Sequence, residues 1–311
     1  MVRKDIHTRL MGSDFELIVI EKNEAEAIAR LEEGIAEIRR IEGLLTEFRE
    51  DSQTSLINRN AGVNPVVVDE EVYALVQRSL HISGLTQGAF DITASVLKSL
   101  YDFKSGKSEL PDPIVIAGKL TLTGSQHIEM PAKNQVFLKR KGMRIGFGAI
   151  GKGYAADRVR ALWQAQGVQS GVINASGDLT AWGRQQDNRK WRIGIAHPDN
   201  ISKIILWMPV DNASVATSGD SEQFFVKDGV RYSHNIDPRT GQPTTGIKTV
   251  TVISSSAELS DALATAVMVM GKRPGLHLIN QLPRIHCILV DDRNRIFHSD
   301  KINMHVEKKE I

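Results

Sequence analysis

Strand-like runs crowd into the second half of this 311-residue chain, and its helix-like segments stand between separated groups of strands. That order constrains the fold more than any single motif, because a doubly wound parallel sheet needs strand and helix to alternate regularly. After a strand-like "FELIVI" (residues 15–20), Ile28, Leu31, Ile35, Ile38, Ile41, Leu45 and Phe48 recur at three- and four-residue steps. They predict a long amphipathic helix that ends near "FREDSQTS" and leaves Glu32, Glu33, Arg39 and Arg40 to solvent. Further helices are expected at 70–83, 93–101, 154–166 (stopped by Gly167), 257–270 and 274–281. Short strands are expected at "NQVFLKR" and "GMRIGF", then at "SGVINA", "WRIGIAH", "KIILWMPV", "ASVATSG", "KTVTVIS", "IHCILV" and "RNRIFH". The runs flanking Lys227-Asp228-Gly229 read as a hairpin with Asp-Gly at its turn. The expectation is an α+β fold of mixed or antiparallel sheets with helices, as one composite domain over residues 1–311. Residues 104–118, rich in Lys, Ser, Pro and Gly, are expected to form a mobile or variable connection.

Composition narrows the classes. Hydrophobic content of 41% and charged content of 24% are ordinary for a globular protein with a substantial core. A formal charge of +2 gives no reason to expect nucleic acid or a membrane surface as partner, and "KRK" at 139–141 reads as a solvated hairpin end. Cys287, inside "IHCILV", reads as a buried structural thiol rather than a nucleophile, and a single cysteine allows no disulfide within the chain. The first residues carry no secretory signal pattern, and no stretch is long and apolar enough to span a bilayer. The chain as written is expected in the cytoplasm, or in the periplasm if it is the trimmed form of an exported protein.

"GFGAIGKG" at 146–153 matches two phosphate loops and completes neither. Gly146, Gly148 and Gly151 spell the dinucleotide fingerprint, but the next strand ends in "NASGD", a second glycine-containing turn with its own acid, Asp178. Gly146, Gly151 and Lys152 begin a Walker loop, yet Gly153 stands where a Ser or Thr would hold magnesium. The shared physics survives: glycines admit close approach, a helix N-terminus offers unpaired N–H groups to an anion, and Lys152 adds a charge. Elsewhere, Asp91 in "QGAFDITAS" opens a helix and reads either as a site acid or as an N-cap. His234 precedes the turn "DPRTG" at 237–241. Asp261 and Thr265 lie one helical turn apart on a segment otherwise made largely of Ala, Leu, Val and Met. That carboxylate and hydroxyl suit a hard cation such as Mg²⁺; the alternative is a dipole-stabilising Asp261 and a Thr265 bonded back to a carbonyl.

Together "LMGSDFEL", "DSQTSLINR", "QGAFDITAS", "GFGAIGKGYAADR", "INASGDLTAWG", "VATSGDSEQFF", "SHNIDPRTGQP" and "VTVISSSAELSDALATAVMVMG" resemble, in order, the FAD:protein FMN transferases of the ApbE family. The resemblance implies a T-fold-like architecture with FAD in a central cleft. It also implies Mg²⁺-dependent transfer of FMN from FAD to a Thr or Ser hydroxyl of an acceptor flavoprotein, with release of AMP. Matching positions imply that Met11, Asn58, Ala89, Phe90, Asp91, Lys152, Tyr154, Asp178 and Ile236 line the FAD site. They imply Asp261, Thr265 and a backbone carbonyl near Gly151 as metal ligands, and His234 as the histidine that serves catalysis; the base itself is left open between His234 and a nearby carboxylate, with Asp237 the candidate. Two departures stand out: Gly146 replaces an acid common in the family, and Ala175-Ser176 precedes Gly177-Asp178 where a glycine is frequent. Simple hydrolysis of FAD to FMN and AMP, a non-enzymatic FAD carrier and a nicotinamide oxidoreductase are the alternatives.

Overall fold

The computed structural model describes residues 1–103, 110–219, 223–300 and 302. A hairpin of β1 (Val2–Leu10) and β2 (Ser13–Glu21) leads into α1 (Glu24–Leu45) and α2 (Gln53–Arg59). Then come β3 (Val66–Val67), α3 (Glu70–Leu85), α4 (Ser95–Lys98), α5 (Pro113–Leu120), β4 (Ile128–Glu129), β5 (Gln135–Leu138) and α6 (Gly151–Ala165). The strand-rich half contains β6 (Ser170–Ala175), β7 (Asp178–Trp182), β8 (Trp191–His197), β9 (Asn200–Val210), β10 (Ala213–Gly219), β11 (Phe224–Lys227), β12 (Val230–Ser233) and β13 (Ile247–Ser254). Helices α7 (Ala257–Met270) and α8 (Lys272–Gln281) precede β14 (His286–Asp291) and β15 (Ile296–His298).

The principal sheet runs β1-β2-β6-β7-β10-β13-β14-β15, each neighbour antiparallel to the next. Alternation along β2 serves two cores. Phe15, Leu17 and Val19 join the helix-side core, whereas Ile18 and Ile20 join a second cluster containing Trp191 of the β8–β9 hairpin. Helices therefore cover one face and that hairpin covers part of the other, so the central strands β6 and β7 are almost wholly buried. Within the helix-side core Trp163 and Trp182 lie 6.0 Å apart, and their indole N–H groups donate to the carbonyls of Arg30 and Val168. Cys287 is buried in β14, as expected, and burial pushes its thiol up to about 12. No helix among the described residues is long and apolar enough to cross a membrane.

Several local expectations need correction. The long helix stops at Leu45, because Thr46 turns extended and Ser52 then caps a separate α2. Phe48 consequently faces solvent, 95% exposed, instead of joining the apolar stripe. "GMRIGF" is not a strand; its backbone is spent on Asn58 and on Ile92, to which the Gly146 N–H donates. Residues 93–101 hold only a 3₁₀ turn and the four-residue α4. Of the connection 104–118, residues 104–109 lie outside the described residues, and the remainder runs into α5, which Asp112 caps by accepting the Ile114 N–H. The unforeseen β1 is an edge strand of alternating exposed polar residues. The Asp228-Gly229 hairpin forms as expected, both residues having positive φ.

Asp157 ties α6 to α7. Its carboxylate accepts from the Ser256 hydroxyl (2.7 Å) and from the N–H groups of Ala257 (2.9 Å) and Glu258 (3.0 Å), so a side chain of one helix caps the other. Asp157→Ala is expected to lower stability by about 1–3 kcal/mol, a lost cap plus orphaned N–H groups, in urea unfolding monitored by circular dichroism.

Candidate functional site

A cleft of about 1040 Å³ opens where the turn entering α6 meets the strand ends at Asp178 and Thr217 and the segment after β12. The turn is held from behind. The Asn58 side chain accepts from the Ile145 N–H (2.8 Å) and donates to the Ile145 carbonyl (3.0 Å), and the Gly151 N–H donates to the Phe147 carbonyl (2.7 Å). At Gly153 the first turn of α6 lies against the start of α7. A Cβ there would sit 2.5 Å from the Ala257 carbonyl carbon and 2.8 Å from the Glu258 nitrogen, so only glycine permits the approach.

That approach brings the charged groups together. Asp261 of α7 lies under the α6 N-terminus, its Oδ2 accepting from the Gly153 N–H at 3.3 Å. Lys152 pairs with Asp178 Oδ2, while Asp178 Oδ1 accepts from the Thr217 N–H at 3.2 Å. Thr265, one turn beyond Asp261, lines the same cleft and makes no side-chain hydrogen bond among the described residues. The back-bonded alternative for Thr265 is thereby set aside. No group of three or more His, Cys, Asp and Glu side chains fit for a metal occurs among the described residues. A cation here would rest on oxygen donors of mixed kind.

Two buried carboxylates share one ammonium. Burial opposes the charge on Lys152, but Asp178 and Asp261 outweigh it and hold the lysine above its usual range. Burial raises Asp178 despite Lys152. The deficit falls on Asp261, which burial and then repulsion from Asp178 push up to about 8. On the segment after β12, His234 Nδ1 lies 3.2 Å from the Gln223 carbonyl. A carbonyl only accepts, so Nδ1 carries the ring proton and Nε2 is the basic nitrogen. Burial lowers the His234 pKa, and Lys98 and Lys152 push it further down against the Gln223 carbonyl.

Not every candidate reaches the cleft. Ala89, Phe90, Asp91, Lys152, Asp178, His234, Ile236, Asp261 and Thr265 line it. Asp91 is also the N-cap of a 3₁₀ turn: Oδ1 accepts from the Thr93 N–H and hydroxyl, and Oδ2 from the Ser125 N–H. Asn58 is engaged with Ile145 behind the turn. Tyr154 faces away, its hydroxyl donating to Glu71 and its ring under the Arg78 guanidinium. Met11, at φ 50 in the β1–β2 turn, has its Cε 3.6 Å from where a Cβ on Gly151 would stand. Asp237 accepts from the Arg239 backbone and guanidinium (each 2.9 Å) and stiffens its turn outside the cleft lining. Sequence reasoning missed Asp157 and Lys98. Asp157 sits one turn beyond Gly153 on the same helix, but its partners lie about a hundred residues away, so no local pattern marks it.

The raised Asp261 pKa makes a stability prediction. A folded state that holds this proton up to about pH 8 loses stability as pH rises from the unfolded carboxylate value toward 8, then levels off. In metal-free protein, Asp261→Asn should therefore gain melting temperature relative to the parent, the gap widening from pH 5 to pH 8. Thermal melts in chelator would show a pH-independent offset if the carboxylate were not buried against Asp178.

Residues 11–289 match the model of the ApbE family. A Klebsiella pneumoniae protein named FAD:protein FMN transferase is 33% identical over 293 residues, covering 93% of this chain and 90% of that protein. A Treponema pallidum protein of the same name is 32% identical over 288 residues, covering 88% and 80%. The crystal structure of an ApbE protein from Thermotoga maritima superposes with a TM-score of 0.88 at 30% identity, covering 96% of this chain and 97% of that one.

Proposed function

Because this chain belongs to the ApbE family, we propose that it transfers FMN from FAD to a Thr or Ser hydroxyl of an acceptor flavoprotein, with AMP leaving and Mg²⁺ as cofactor. One observation carries the reading: the Lys152–Asp178 pair, Asp261 with Thr265, and His234 all face a single cleft at the turn into α6. The cleft draws on β7, β10, α6, α7 and the segment at 89–91, so we treat residues 1–311 as one working unit.

The donor set suits a hard cation. Asp261 is a buried carboxylate short of positive charge, Thr265 adds a hydroxyl, and the carbonyl of Gly151, which precedes Lys152 but is itself outside the cleft lining, is the candidate third ligand. When bound, Mg²⁺ supplies charge neutralisation at the pyrophosphate. The remaining work belongs to the protein. Lys152, oriented by Asp178, presents its ammonium beside the N–H groups of the α6 N-terminus, the geometry that receives phosphate oxygens. Ala89, Phe90, Asp91 and Ile236 give walls to the flavin nucleotide, while Met11, Asn58 and Tyr154 support the turn from behind. His234, neutral near pH 7, takes the proton of the incoming hydroxyl as its oxygen attacks the FMN phosphorus. The phosphoanhydride bond then breaks and AMP departs. Asp237 positions the turn that follows His234 and does not serve as base.

Incubation of the protein with FAD, Mg²⁺ and a candidate acceptor, read by intact-protein mass spectrometry and AMP release, tests the reading. FMN-modified acceptor is expected; AMP with unmodified acceptor would make the protein a hydrolase, and neither product would overturn the reading. In that assay His234→Ala should slow transfer by about 10²–10⁴-fold with FAD affinity little changed. The parent's acid limb should lie below the ordinary histidine value, because the lowered pKa keeps the base free at lower pH. Affinity for Mg²⁺ should rise by up to about tenfold per pH unit below pH 8, as one proton leaves Asp261, and calorimetry should lose this slope in Asp261→Asn.

A further inference from the structure

We propose that Lys98 is a further binding residue of the cleft, a cation that meets the nucleotide pyrophosphate at the Gly148 side of the turn, and that Glu47 positions it. The inference rests on the flavin-transfer reading and adds to it a residue that no motif indicated.

Lys98 closes the short α4 and lines the same cleft as Lys152. Its Nζ lies 3.1 Å from where a Cβ on Gly148 would stand, so the ammonium rests against the bare backbone of the turn. The two lysines differ in what they have left to offer. Lys152 is neutralised by Asp178 in a buried pair, whereas Lys98 makes no hydrogen bond or contact ion pair among the described residues. A pyrophosphate entering beside the α6 N-terminus brings negative charge that the Lys152–Asp178 pair cannot balance. An exposed, unpaired ammonium at the turn can, through charge-assisted hydrogen bonds.

Glu47 is mostly buried on the same side of the turn, its Oε2 3.7 Å from the Arg144 guanidinium. It belongs to the turn after α1, where its neighbour Phe48 is 95% exposed, yet the Glu47 side chain is only 19% exposed. The carboxylate fills the space above Gly146. A Cβ on Gly146 would overlap it, standing 2.7 Å from Glu47 Cδ and 3.1 Å from Ser95 Cβ. Gly146 therefore leaves room for an acid delivered from another part of the chain. Burial raises the Glu47 pKa, and Lys98 and Arg144 pull it back, so the acid and these cations stabilise one another electrostatically across the turn. Ser95 and Lys98 share α4, which places the lysine on the element that packs against the acid.

Fluorescence titration of the full chain with FAD, with and without Mg²⁺, tests the proposal on the parent and on Lys98→Met, Lys98→Arg, Glu47→Gln and Glu47→Gln/Lys98→Met. Lys98→Met should weaken FAD binding by about tenfold or more, the loss of one charged partner of a phosphate, and Lys98→Arg should restore most of it. Glu47→Gln should weaken binding by about threefold in the parent and leave Lys98→Met unchanged, since coupled residues are not additive. Unchanged affinity in Lys98→Met, or an equal loss in Lys98→Arg, overturns the binding role. An equal effect of Glu47→Gln in both backgrounds overturns the positioning role. Failure of the parent itself to bind FAD overturns the flavin-transfer reading, and this inference with it.

Discussion

The crossing of α6 and α7 is the contact on which the rest of the site depends. Gly153 removes the one side chain that would hold the helices apart, and Asp157 satisfies the N–H groups that start α7. With those two residues in place, Lys152 and Asp261 meet although more than a hundred positions separate them in the chain. Arg78 of α3 adds a fork to Glu258, 2.6 and 3.0 Å, fixing the same end of α7 from outside. Backbone donors and a bidentate pair are directional, so they set the helix in register as well as in contact.

That register creates an electrostatic problem and keeps it local. Asp178 and Asp261 are both buried, and the one ammonium between them cannot neutralise two carboxylates. A chain selected for stability alone would replace Asp261 with an apolar residue, because most of α7 is buried. Retaining a carboxylate that must hold a proton up to about pH 8 destabilises the metal-free fold, a cost that the proposed cation at this position would offset. His234 stands at the other side of the same field. Burial and two lysines keep it neutral, and the Gln223 carbonyl sets which nitrogen is basic.

Much of the architecture was legible in the sequence for plain reasons. The three- and four-residue spacing through Leu31, Ile38 and Ile41 reports one buried helix face, and the predominance of Ala, Leu, Val and Met in 257–270, broken by Glu258, Ser260, Asp261 and Thr265, marks a buried helix with matching bounds. Asp228-Gly229 specifies a tight hairpin because both residues accept positive φ. The failures have equally specific causes. "GMRIGF" has strand composition, but its backbone groups bond to a side chain and a loop instead of a strand, which no local pattern reveals. Phe48 fits the helical period, yet Thr46 breaks the helix first and leaves the ring in water. For the site, Lys152, Asp178, His234, Asp261 and Thr265, marked by their residue types, all line one cleft. Asn58, Tyr154 and Asp237 carried polar groups too, but these are engaged by Ile145, Glu71 and Arg239 outside the cleft.

By itself, then, the amino-acid sequence determined most of the helical and extended segments, most of the apolar faces, and which residue types can hold an anion, a cation or a proton. These are properties of short windows, where period, turn preference and side-chain chemistry act over a few residues. Only the tertiary structure decided that Gly153 lets two helices touch, that Asp157 caps a helix other than its own, and that Glu47 occupies the space left open by Gly146. It alone decided which carboxylate goes short of a counter-charge, because a pKa depends on distances between groups that the chain brings together from afar.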